Sequence, residues 1–168
     1  MNERPYSLVW SLLIIALVFG GCPYESKIPL STPDKARIDK KLLGEWECED
    51  KWEGKDVFLL ITKRGKHEYS MVFEGGSDTY RISAFTTVID GQKFLNLWEI
   101  EPEQENPEYL FVRYTVKKKR LTLRIVEDEL FEPDFESSAD LYRFIRDHLD
   151  DESLYGEAMV FKRKKKKK

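Results

Sequence analysis

The chain has 168 residues, of which 13% are aromatic and 35% charged, enough for one domain with its own apolar core and no disulfide scaffold. The formal charge is −3, but the seven residues Lys162–Lys168 are all basic, and the remainder holds 21 positive against 31 negative side chains, a balance of −10. An acidic body argues against a nucleic-acid partner, because phosphate binding needs a clustered positive field.

The first element is an export segment. Arg4 lies in a short leading region, Leu8–Phe19 (LVWSLLIIALVF) is apolar, and Gly20-Gly21 precedes Cys22. Such a run is shorter than the roughly 20 residues of a membrane span, and small residues at its end suit a peptidase. Phe19–Cys22 resembles the lipobox of bacterial lipoproteins, with Phe19 standing where an aliphatic residue is usual. The resemblance implies a diacylglycerol thioether on Cys22, which becomes the mature N-terminus, and a protein held on a membrane of the cell envelope by that lipid. Pro23 differs from the aspartate that retains many such proteins at the inner membrane. The periplasmic side of the outer membrane is therefore the expected location if the source has two membranes. Acylation of Cys22 leaves Cys48 unpaired, and Cys48 reads as a buried free thiol.

Residues 22–37, with Pro23, Pro29 and Pro33 among polar residues, have no regular period and read as a flexible tether. Thr32-Pro33 suits the start of a short helical turn towards Leu43.

From residue 38 to 162 short β-prone runs alternate with turn signals. Strands are expected at Gly44–Glu49, Val57–Lys63, Glu68–Phe73, Tyr80–Ile89, Phe94–Ile100, Tyr109–Lys117, Leu121–Val126 and Ala158–Lys162. Arg64-Gly65, Gly75-Gly76, Asp90-Gly91 and the Pro102–Pro107 stretch separate them. Leu110, Val112, Tyr114 and Val116 fall on one face and Arg113, Thr115 and Lys117 on the other, so each strand has a dry and a wet side. One helix is expected from Ser137 to about Asp151, with Ser137 and Asp140 forming a capping pair and Leu141, Phe144, Ile145 and Leu149 making an apolar stripe. The basic segment 163–168 reads as a disordered tail that could lie on anionic headgroups.

About eight antiparallel strands joined by tight turns suggest an up-and-down barrel, with a half-barrel or sandwich as the alternative. Gly44-Glu45-Trp46 is similar to the G-x-W signature of the lipocalin-like (calycin) barrels, whose tryptophan plugs one end. In two respects the chain departs from true lipocalins: the helix precedes the last strand, and no arginine near the closing strand is assigned as the tryptophan's partner.

No catalytic motif occurs, so a non-enzymatic protein without metal or cofactor is expected. His67 and His148 lack metal-ligand spacing, Glu99 and Glu101 share a strand end without a pocket signal, and the acids of Glu127–Asp140 lack a calcium-loop register. The aromatics carry the functional expectation: Trp46, Tyr69, Phe73, Trp98 and Tyr114 are candidate lining for a small apolar or amphipathic ligand. Their alternative is to fill the barrel, leaving a module that docks another envelope protein.

Overall fold

The computed structural model describes residues 22–51, 54–99, 107–131 and 134–164. Residues 1–21, expected to be an export segment, Glu101 and the lysines 165–168 lie outside the described residues, as do the side chain of Glu99 and the expectations placed on all of them.

Among the described residues, period-two alternation folds into nine strands. They are β1 (Glu25–Ser26), β2 (Gly44–Cys48), β3 (Val57–Arg64), β4 (Glu68–Gly75), β5 (Asp78–Ile89), β6 (Gln92–Glu99), β7 (Tyr109–Lys117), β8 (Arg120–Ile125) and β9 (Met159–Arg163). Strands β2 to β9 form an eight-stranded antiparallel up-and-down barrel. Each of β2 to β8 pairs with the next in sequence, and β9 closes the ring by pairing with both β8 and β2. Tight turns hold the register: Asp90 and Gly91, both at positive φ (46° and 81°), make the two-residue turn that joins Ile89 to its partner Gln92.

Because successive strands reverse direction, alternate connections share an end. The turns β3–β4, β5–β6 and β7–β8 lie at one end with the chain entering β2 and leaving β9; this is the closed end. The connections β2–β3, β4–β5, β6–β7 and the long segment between β8 and β9 lie at the other, the wide end.

Residues 22–37 do not form a flexible tether. They run down the outside of the barrel as a strap from the wide end to the closed end. Pro23 bridges Glu127, the Tyr24 amide donates to the Val126 carbonyl (2.9 Å), and β1 pairs with Leu110 and Tyr109 of β7 beyond the point where β8 leaves it. Lower down, the Leu30 amide donates to Asn96 Oδ1 (2.7 Å) and Ser31 bonds Thr87 (2.6 Å). Tyr24 and Leu30 are buried, and full burial of such side chains contributes about 1.5–3 kcal/mol each, which offsets the entropy of ordering the segment. The helical turn after Thr32 is only a 3-10 turn, Pro33–Lys35.

Helix α1 (Ser138–Asp147) is capped by Ser137, whose Oγ accepts from the Asp140 amide (3.1 Å). It stops short of Asp151, because His148 leaves the helical conformation and Asp151 caps a separate 3-10 turn, Glu152–Leu154. Leu141 and Ile145 pack with Tyr24, Leu30, Phe94 and Phe111 in a second core between α1, the strap and the outer barrel wall. Residue 163, expected in the tail, is the last residue of β9.

Candidate functional site

The barrel interior holds Trp46, Tyr69 and Tyr114, three of the five aromatic candidates, at 0%, 0% and 2% exposure. Around them Leu95, Leu121 and Phe161 are at 0%. A side chain with no accessible surface touches no void large enough for water, so this part of the lumen is packed solid. Phe73, towards the wide end, is partly buried against the same cluster, with its ring centroid 6.4 Å from that of Tyr80. Trp98 lies elsewhere. The pleat that sends Leu95 and Leu97 inward turns Trp98 to the outer wall, where it meets Phe85 and Tyr109 (centroids 5.8 and 5.9 Å away).

A polar network crosses the closed end. The Asp39 amide donates to the Tyr69 hydroxyl (2.6 Å), while Asp39 Oδ2 accepts from Lys93 Nζ (2.5 Å) and from the Tyr114 hydroxyl (3.4 Å). Thr86 sits between the two tyrosine hydroxyls, 3.4 and 3.3 Å from them. Burial pushes the Tyr114 phenol well above its ordinary value, so it stays protonated and donates. Burial alone would raise the Asp39 carboxyl, but the bonds from Lys93, the Lys41 amide and Tyr114 hold it below the usual carboxylate range.

Below Trp46 lies the arginine that the sequence did not assign. Arg163 places its guanidinium 4.2 Å from the Trp46 ring centroid and donates to the carbonyls of Leu43 (2.7 Å) and Lys41 (2.6 Å). Trp46 itself donates through Nε1 to the Leu42 carbonyl (2.9 Å). The turn between the strap and β2 is thereby sealed across the barrel mouth, which is the plugged end that the G-x-W resemblance implies.

At the wide end, Cys22 is exposed, and its carbonyl accepts from the Asp128 amide (3.0 Å). Cys48 is a free, half-buried thiol on the interior cluster, and burial raises its pKa. His67 and His148 each place Nδ1 against a backbone carbonyl, Ala36 at 2.7 Å and Phe144 at 2.8 Å. Burial raises the Glu127 carboxyl, with a further push from Glu129 and Asp128. Among the described residues no three of His, Cys, Asp and Glu converge as a metal-ligand set.

Comparison of the chain with family models, with curated proteins and with solved structures finds no match. Arg163, Asp39, Lys93 and Asn96 are the residues that sequence reasoning missed. Only Arg163 carried a signal, since the G-x-W resemblance asks for an arginine near the closing strand.

Proposed function

We propose that the protein is a lipid-anchored lipoprotein of the cell envelope whose barrel is a solid scaffold, acting through its outer surface as an interaction module. The observation that carries this reading is the packing of the lumen: Trp46, Tyr69, Leu95, Leu121 and Phe161 leave no surface to line a cavity. The anchor rests on the lipobox-like Phe19–Cys22 and on the exposure of Cys22 at the start of the strap. Two or more acyl chains there hold the protein on a bilayer, whereas a single chain is marginal.

Two experiments test it. Cys22→Ser should move the protein from the membrane to the soluble envelope fraction, and unchanged retention refutes the anchor. Native mass spectrometry of the released Cys22→Ser protein should give the bare polypeptide mass, and a stoichiometric lipid-sized adduct would restore a ligand-binding barrel. That second reading has one observation in its favour: Phe73 and Tyr80 are only partly buried at the wide half of the interior, with Ile82 and Leu97 beside them at 9% and 8% exposure.

A further inference from the structure

The turns at the closed end of the barrel are rich in cations. At the closed end lie the corner Arg64–His67, the turn Lys117–Arg120, the strand exit Lys162–Lys164 and the pair Lys40-Lys41 just before β2, with Asp39, Glu68 and Asp90 as the acids among them. At the wide end Glu108 and Glu127–Glu129 lie with Lys51 and Lys55, while Glu49, just after β2, reaches across β9 to Arg120 at the start of β8. Some of the closed-end cations are already engaged: Arg163 by Trp46 and the strap carbonyls, Arg120 and Lys162 by Glu49, and Lys93 by Asp39. Lys66, Lys118 and Lys119 are exposed and carry no ion pair among the described residues. These free charges are lysines, compact point charges on flexible stems, which suit a diffuse polyanion better than one bidentate ligand.

A cleft adjoins this face. Between the strap, the end of β5 and α1 is an open hollow of about 320 Å³ lined by Ser31, Lys35, Arg37, Thr87, Val88 and Tyr142. It combines two cations, hydroxyl groups, an aromatic ring and the exposed Val88 (52%). That chemistry matches a sugar ring bearing an anionic group: the ring and Val88 cover an apolar sugar face, and the cations meet phosphate or carboxylate. Single-stranded nucleic acid would instead use a succession of stacking rings.

We infer that the closed end is a docking face for an acidic glycan, presented away from the bilayer that holds Cys22. The orientation rests on the lipoprotein reading above; the docking chemistry does not. Cys22 emerges at the wide end, and the strap gives no slack between it and the barrel. The twelve residues of β5, at about 3.3 Å each and a tilt of about 35–45°, put the two ends roughly 30 Å apart. A membrane's surface potential decays over about 8 Å in physiological salt, so the anchoring bilayer is electrostatically remote from the closed-end lysines.

The test uses the full-length lipidated protein in zwitterionic nanodiscs, titrated with heparin as the acidic-glycan probe over a range of salt. Saturable binding that weakens steeply with salt is expected, as for any contact that releases counterions from a polyanion. The variant Lys66→Glu with Lys118→Glu and Lys119→Glu should bind at least about tenfold more weakly, since each reversed contact removes a salt-dependent share of the affinity. Lys51→Glu with Lys55→Glu at the wide end should leave binding unchanged. No binding at low salt, or equal losses from both variants, overturns the proposal. Tighter binding to double-stranded DNA than to heparin makes the partner a nucleic acid, and tighter capture of soluble Cys22→Ser protein by phosphatidylglycerol vesicles makes it a bilayer; either refutes the glycan. Retention of Cys22→Ser on membranes refutes the orientation alone, because the heparin titration is read equally on that variant.

Discussion

Replacing Arg163 with alanine should loosen the whole closed end. Two losses follow from the geometry. The stack on Trp46 is a partly desolvated cation–π contact worth about 0.5–2 kcal/mol, and the two bonds to the Leu43 and Lys41 carbonyls have a charged donor, at about 1.5 kcal/mol or more each. Together they amount to about 3.5–5 kcal/mol, a large share of the roughly 5–15 kcal/mol that holds a small domain folded. At about 3–5 °C per kcal/mol for a domain of this size, Tm should fall by about 10–25 °C. Arg163→Lys should recover less than half of this, because an ammonium reaches one carbonyl and has no flat face to lay on the indole. Urea unfolding followed by tryptophan fluorescence, with thermal melts by circular dichroism, measures both variants. An alanine variant within about 1 kcal/mol of the parent, or a lysine variant equal to it, would refute the role given to this side chain.

Gly44 stands at φ 130°, and a Cβ there would lie 2.5 Å from Arg163 Nη1, so Gly44→Ala should destabilise by about 1–3 kcal/mol through backbone strain and the displaced guanidinium. The same urea titration reads it. Asp39 has a folded-state pKa below its unfolded value, so its contribution is complete above the unfolded carboxylate range, near pH 4, and is lost as pH falls through the lower folded value. Asp39→Asn should therefore flatten the acid limb of a stability–pH profile, and an unchanged limb would show that the Lys93 contact does not matter. Asn96→Ala leaves the buried Leu30 amide without its acceptor, at about 1–3 kcal/mol. Hydrogen exchange should show the Leu30 amide protected in the parent and fast in the variant; fast exchange in both would return the strap to a mobile tether.

The barrel strands were legible because their physics is local. Leu110, Val112, Tyr114 and Val116 alternate with polar residues, and Asp90-Gly91 supplies a turn that only such residues adopt easily. The strap was not legible, because Tyr24 and Leu30 are isolated apolar residues in a proline-rich stretch, and what they bury against, Phe131 and the outer wall of β5–β7, lies far along the chain. Arg163 was hidden by its neighbours: at the head of a run of lysines it reads as tail, and only pairing with Trp46 marks it as wall. Trp98 was misplaced because an aromatic type says nothing about which side of the pleat it takes, and a second apolar layer outside the barrel gives it a dry home there. Apolar pattern identifies burial but does not say in which of two cores.

The seams of this barrel also govern how it must assemble. The Tyr24 amide meets the Val126 carbonyl and Arg163 meets the Leu43 carbonyl, contacts 102 and 120 residues apart, so the wall is stitched at its two extremes of chain. Contacts of such separation make folding slow, and neither seam can form while the distal strands are still being synthesised. Until then the chain holds β-prone segments unpaired and sticky, which makes that interval its period of greatest exposure to proteolysis and aggregation.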